Sequence, residues 1–268
     1  MTAIALTIAG SDSSGGAGVQ ADLKTFSALG VYGASVIVAL TAQNTRGVTA
    51  IHDVPADFIA AQIDAVYSDL AVCAVKIGML SNRAAIHAVA AGLGRHKAKN
   101  IVLDPVMIAT SGDRLLAPDA VDALRDELIP RALIVTPNLP EAAALVGAPL
   151  ARNETEMEAQ AREILSLGAR RVLIKGGHAE GDEAVDLLIG ESGVHRVFAR
   201  RIATKNTHGT GCTLSSAIAA HLALGRDIES AVREAKQYVT RAIAAADQLA
   251  VGSGHGPVHH FHAQWTGQ

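Results

Sequence analysis

The chain reads as a doubly wound α/β domain, a central and mostly parallel sheet with helices on both faces. Three observations carry that expectation. Apolar runs of strand length recur along the chain, and most are followed by a polar loop and a longer stretch with helical spacing. Those runs read as nearly continuous apolar strands, as in strands covered on both sides. The glycine-rich and polar segments collect after the strands, where such sheets hold their ligands. With 268 residues and no linker, repeat or low-complexity stretch, one domain spanning 1–268 is the simplest account.

Taken in order, Ile4 to Ala9 is a buried strand. The loop Gly10-Ser11-Asp12-Ser13-Ser14-Gly15-Gly16-Ala17-Gly18 follows, then a helix from about Val19 to Leu29. Ser35 to Thr41 is the second strand, with Ala42-Gln43-Asn44-Thr45 as its polar loop. Pro55 opens a helix that places Phe58, Ile59, Ile63, Val66 and Leu70 on one face, and proline suits a first turn. Ala74 to Ile77, Ile101 to Leu103, Leu133 to Val135 and Val172 to Ile174 are further strands. The last three run into Asp104-Pro105-Val106-Met107, Thr136-Pro137-Asn138-Leu139-Pro140-Glu141 and Lys175-Gly176-Gly177-His178. Ala184 to Ile189 and Val194 to Phe198 flank a glycine turn as a hairpin. An apolar helix covers Leu214 to Leu224, and the last long helix runs from about Ile228 to Leu249.

Composition excludes several classes. Hydrophobic residues make up 49% and aromatics only 3%, so the core is built from small aliphatic side chains. A net charge of −3 offers no footprint for nucleic acid. Cys73 and Cys212 lie far apart, which argues against a disulfide framework and for a reducing cytoplasm. Met1 to Gly10 lacks the basic start of a signal peptide, and no apolar run reaches the length of a membrane span.

The most informative segment is Asn206-Thr207-His208-Gly209-Thr210-Gly211-Cys212-Thr213. Gly209 and Gly211 let backbone approach a ligand, and the helix that follows aims unpaired N–H groups and its positive end at the same spot. That is an anion site, with Cys212 as a candidate base or nucleophile. A thiol at a helix N-terminus is expected to ionise below its usual ~8.5, in or under the neutral range. Gly16-Ala17-Gly18-Val19-Gln20-Ala21 loosely fits a dinucleotide fingerprint, but Gln43 stands where a ribose-binding acid is wanted. The glycines then admit a small ligand. Asp22 either faces that ligand or is a favourable charge in a first helical turn, and the residues leave both readings open. Asp104 and Glu141, at the ends of neighbouring strands, suit Mg²⁺ shared with phosphates, or act as helix-cap residues. Asn138 could orient a phosphate, and Lys175 could steady nucleotide phosphates. His255, His259, His260 and His262 in the tail read as packing or surface residues, and Cys73 as a small core residue.

Asn138-Leu139-Pro140-Glu141 resembles the Asn-x-x-Glu motif of the ribokinase superfamily, and Gly209-Thr210-Gly211-Cys212 its Gly-x-Gly-Asp anion hole with cysteine in place of the aspartate. The cysteine form, with Thr-Ala-Gln-Asn-Thr at 41–45, Lys-Ile-Gly-Met-Leu at 76–80 and Gly-Pro-Val-His-His-Phe at 256–261, resembles the hydroxymethylpyrimidine/phosphomethylpyrimidine kinases of thiamine biosynthesis. The resemblance implies a ribokinase-like three-layer sandwich and two successive phosphoryl transfers from ATP with Mg²⁺, first to an aminopyrimidine alcohol and then to its monophosphate. It implies that Gln43 reads the aminopyrimidine edge and that Gly10, Ala17, Asp22, Met79 and Val106 surround the ring. It places Asn138, Lys175 and Thr210 at the nucleotide, Asp104 and Glu141 at the metal, and Cys212, Gly209 and Gly211 at the transferred group. A homodimer is the usual state of such proteins. The rivals are a pyridoxal kinase on the same scaffold and a non-catalytic pyrimidine sensor. The polar stretch Ile108 to Leu116 is expected to cover the site.

Overall fold

A computed structural model describes residues 2–108, 115–117, 119–177 and 182–265. Its elements are β1 (Ile4–Gly10), α1 (Gly18–Ala28), β2 (Tyr32–Asn44), β3 (Gly47–Asp53), α2 (Ala56–Asp69), β4 (Ala74–Ile77), α3 (Arg83–Arg95) and β5 (Ile101–Leu103). Then come α4 (Ala120–Ala123), which runs on through irregular helical turns to Arg131, β6 (Ile134–Val135), α5 (Leu139–Val146), α6 (Glu154–Ser166) and β7 (Arg171–Lys175). The chain closes with β8 (Glu183–Gly190), β9 (Gly193–Arg200), α7 (Thr210–Ala223) and α8 (Ile228–Ala244).

The strands form one sheet in the order β3-β2-β1-β4-β5-β6-β7-β8-β9. From β2 to β7 every pairing is parallel, while β3, β8 and β9 add antiparallel edges. The chain passes from β1 to β2 on one side, then returns to β4 on the other. The winding therefore reverses between β1 and β4, the place where open α/β sheets form a crevice.

Side-chain alternation divides the core in two. Leu6, Ile8, Val75, Ile77, Ile101, Leu103, Val172 and Ile174 pack with α2, α3, α5 and α6. Ala5, Ala74, Val102, Ile134 and Leu173 face the other way, toward α1, α7 and α8. This is the period-2 consequence of the pleat and gives three layers, as expected. α7 is buried without a break from Thr213 to Leu222. Its small residues Ala217, Ala219 and Ala220 have no exposed surface and let it lie close on the sheet.

Three sequence expectations change. β2 does not stop at Thr41; it continues to Asn44 and pairs antiparallel with β3, with Gln43 opposite Val48. Ala42 to Asn44 are therefore strand, not loop, and β3 was not foreseen. From Thr49 to Asp53 β3 is exposed at every residue, so it carries no apolar signal to read. Pro55 is the N-cap of α2, not part of its first turn, and α8 ends at Ala244 before a short 3₁₀ turn at Ala246–Gln248. Most of Ile108 to Leu116, the expected cover, lies outside the described residues.

Candidate active site

A cavity of about 920 Å³ opens at the C-terminal ends of the parallel strands. Gly10, Ala17, Gln43, Met79, Asp104, Val106, Asn138, Glu141, Lys175, Gly209, Thr210, Gly211 and Cys212 all line it. Asp22 is the exception. It has no exposed surface, and its carboxylate accepts hydrogen bonds from Thr7 Oγ1 (2.5 Å), Ser216 Oγ (2.6 Å) and Lys76 Nζ (2.8 and 2.9 Å). The expectation that Asp22 contacts a ligand is thus corrected. It lies in a sealed layer between α1, α7 and the sheet, as the counter-ion of a lysine to which the sequence reading gave no role of its own.

That lysine, Lys76, interrupts the apolar strand β4 and is itself fully buried, yet it reaches the cavity wall. Burial works against its charge, but Asp22, Cys212 and Asp104 together hold its ionisation above the usual lysine range. It is therefore a fixed positive charge under the start of α7.

α7 is capped by Gly209, whose φ of +78° is left-handed. A Cβ there would overlap the Gly16 carbonyl, so only glycine lets the two loops touch. The first turn is closed by Thr213 N–H donating to Gly209 O (2.8 Å), which leaves the Gly211 and Cys212 amides ahead of the intrahelical ladder. Thr210 Oγ1 donates to Thr207 O (2.7 Å) and firms the turn. This glycine turn forms a nest at the start of α7.

Cys212 departs from expectation. Burial pushes its thiol up to about 11; Lys76 and the Gly18 N–H pull the other way, and Asp22 and Asp104 add to the rise. Sequence reasoning weighed the helix end and could not see the burial. At neutral pH the side chain is a thiol.

The opposite wall carries a second lysine. Lys175 Nζ is 2.8 Å from Asp104 Oδ1 and 3.9 Å from Glu141 Oε2. Asp104 also accepts from Thr136 Oγ1 (3.1 Å) and Ser215 Oγ (3.2 Å). Burial would raise the Asp104 pKa, but Lys175 and Lys76 overrule it and hold it below the normal range. For Glu141 burial wins over Lys175, and its carboxyl is pushed up to about 7. Asn-x-x-Glu proves to be a capping box. Asn138 Oδ1 accepts from Glu141 N–H and Glu141 Oε2 from Asn138 N–H, both at 2.8 Å. The cap alternative therefore holds for Glu141 without removing its carboxylate from the cavity.

Further down the cavity, Asp186 accepts from Lys236 Nζ (2.7 Å) and Gly176 N–H (3.1 Å), a pair not foreseen. His178 lies outside the described residues. His259 and His260 are buried packing residues, and no cluster of three or more metal-ligating side chains occurs among the described residues. No helix is long and apolar enough to cross a membrane among them.

Two carboxylates converge on one ammonium at the wall beside the nest. A Cβ on Gly211 would come within 3.3 Å of Lys175 Nζ and 3.8 Å of Asp104 Oδ2. The arrangement can hold a polyanion and a hard cation side by side.

Comparison with known proteins agrees. Residues 12–259 match the family described as phosphomethylpyrimidine kinase. A hydroxymethylpyrimidine/phosphomethylpyrimidine kinase of Rhizobium meliloti is 63% identical over 265 residues, covering 99% of each chain. Among solved structures, an ADP complex of Bacillus subtilis pyridoxal kinase superposes with a TM-score of 0.91 at 36% identity, covering 99% of this chain and 100% of that one. A phosphomethylpyrimidine kinase from Clostridium difficile gives 0.80 at 49% identity, covering 90% and 99%. The fold is thus the ribokinase-like sandwich, and the chain belongs to the phosphomethylpyrimidine kinase family.

Proposed function

We propose that this phosphotransferase, working as one domain, phosphorylates 4-amino-5-hydroxymethyl-2-methylpyrimidine and then its monophosphate, with ATP as donor, as a step toward thiamine. The observation that carries the reading is the convergence, on one cavity, of Gln43, the nest at Gly209–Cys212, and Lys175 with its two carboxylates. An amide offers both a donor and an acceptor, which suits the edge of an aminopyrimidine. Gly10, Ala17, Met79 and Val106 supply walls for a flat ring. Asn138, Thr210 and Lys175 take the phosphates.

Phosphoryl transfer asks for in-line placement and for compensation of charge on the moving group. The Gly211 and Cys212 amides are preorganised for that charge. Mg²⁺ fits the donor set. Asp104 and Glu141 already gather round a positive charge, and magnesium binds through one or two carboxylates, waters and phosphates. When bound, it would supply further charge neutralisation at the phosphate oxygens. Cys212 lies beside the nest, where the acceptor hydroxyl must come. In the first transfer the alcohol must lose a proton; Cys212 rests as a thiol, and only its minor thiolate form, which Lys76 favours, can accept that proton. The second acceptor is a phosphate monoester, largely ionised near neutral pH because its second pKa is ~6, and needs no such help. Cytoplasmic location and a homodimer complete the proposal.

Product analysis tests it. With Mg-ATP, wild type should make both mono- and diphosphate of the pyrimidine. Cys212→Ala should slow the first transfer by tenfold or more relative to the second. Equal loss in both steps would reduce Cys212 to a positional role. A kcat/KM for pyridoxal exceeding that for the pyrimidine would overturn the substrate assignment.

A further inference from the structure

We propose that Asp12 and His208 form a positioning pair that locks the acceptor loop to the phosphate nest and so sets the distance over which phosphate is transferred. The inference rests on the kinase reading above and adds to it two residues that reading does not use.

The two loops come from opposite ends of the chain, 196 positions apart. Asp12 is 1% exposed and is the hub of the first loop. Its Oδ1 accepts from Ser14 N–H (2.8 Å) and Ser14 Oγ (2.7 Å), and its Oδ2 from Ala17 N–H (2.8 Å) and Gly16 N–H (3.2 Å). One more donor reaches Oδ2, His208 Nε2 at 2.7 Å. Burial would raise the Asp12 pKa, but His208 and Ser14 hold it down at about 2, so the carboxylate is charged and the His208 ring donates from Nε2.

His208 directly precedes the nest. Its own backbone is clamped by the C-terminal tail, since its N–H donates to Gly256 O (3.0 Å) and its carbonyl accepts from Val258 N–H (3.3 Å). The glycines confirm how tightly the loops mesh. A Cβ on Gly16 would collide with the His208 ring, and one on Gly209 with the Gly16 carbonyl. Ala17, at the end of the first loop, lines the cavity beside Cys212 and Gly209. One loop therefore shapes the acceptor end and the other holds the migrating phosphoryl group. The Asp12–His208 bond is the charged link of this interlock. A misplacement of about 1 Å between reacting groups can cost about a hundredfold in rate.

The test compares Asp12→Asn, His208→Ala and His208→Gln with wild type, measuring kcat, both KM values, and the ratio of ADP formed to phosphoryl groups transferred, counted as one per monophosphate and two per diphosphate. Gln can place an amide N–H near the position of Nε2, so it serves as the rescue. Asp12→Asn and His208→Ala should lower kcat tenfold or more, leave KM for ATP within twofold, and release ADP in excess of phosphoryl groups transferred. His208→Gln should return the ratio to one. Ser14→Ala, which removes a bond to Asp12 but not the link to His208, should stay coupled, and it keeps the test decisive should one of the others fail to fold. Unaltered kcat with one-to-one coupling in Asp12→Asn or His208→Ala would overturn the pair. So would uncoupling in Ser14→Ala as large as theirs, or no recovery with Gln. A wild-type protein that makes no phosphorylated pyrimidine would instead defeat the kinase reading.

Discussion

Two lysine–aspartate pairs flank the start of α7, and they are built for different work. Lys76–Asp22 and Lys175–Asp104 each close at 2.8 Å, each lysine lies on a parallel strand, and both ammonium groups influence Cys212. Their exposure separates them. The side chains of the first pair are 0% exposed on both sides, whereas Lys175 keeps 14%. A sealed pair cannot exchange partners. It is a permanent charge under the nest, saturated by Thr7 and Ser216. Both lysines reach the cavity wall, but only Lys175 keeps exposed surface there, and with Glu141 as a second carboxylate nearby it can trade Asp104 for phosphate. The same two residue types thus act as foundation in one place and as machinery in the other, and the difference is access to ligand.

Lys76→Met should give the largest effect on stability. It strands Asp22 as a buried, uncompensated charge, which typically costs about 3–5 kcal/mol. Urea denaturation measures the loss, and adding Asp22→Leu should recover most of it. A Lys76→Met protein as stable as wild type would erase the distinction between the pairs. Lys175→Met should do the reverse, with kcat down by about a hundredfold or more, near 3 kcal/mol of transition-state stabilisation. Its stability loss should be smaller, because Lys175 keeps 14% of its side chain exposed at the cavity. Without that ammonium the Glu141 pKa, about 7 in the native protein, should move higher still. The titration of Glu141, followed by carboxyl NMR, would show it.

The smallest effect concerns Cys212, followed in a Cys73→Ser background by alkylation with iodoacetamide. A rise from the usual ~8.5 to about 11 leaves roughly two-hundredfold less thiolate at pH 8. The stronger nucleophilicity of a more basic thiolate, with β of about 0.4–0.5, offsets about half of that on a logarithmic scale. Alkylation should therefore be about tenfold slower than for a free cysteine at pH 8 and climb toward pH 11. Adding Lys76→Met should slow it further, since the charge that favours the thiolate is gone. A reaction plateau near pH 7 would mean that the helix end outweighs burial. The pair under α7 would then not be needed to hold the thiolate.

The capping box and the tail show why parts of the site were legible in the sequence and others were not. Asn138, Glu141, Gly209, Gly211 and Cys212 are local constellations, with roles set by neighbours a few residues away, so spacing alone exposed them. Asp12, His208 and Lys76 act through partners 196 or 54 positions distant. No window along the chain contains both halves of such a pair. Asp22 shows the same limit from the other side. Its place near the start of a helix was visible, but the lysine that claims its carboxylate was not. Gln43 was identified, yet on a loop, because the edge strand that extends β2 has no buried face to betray it.

The sequence by itself determined the layered α/β architecture, the strands that carry the cavity, and the glycine–cysteine nest, since period, breakers and helix ends are properties of short segments. Only the tertiary structure decided which charges are sealed and which are open, that Cys212 rests as a thiol, and that two distant loops are pinned together. Those outcomes depend on burial and on long-range pairing, and neither exists until the sheet and α7 close on each other.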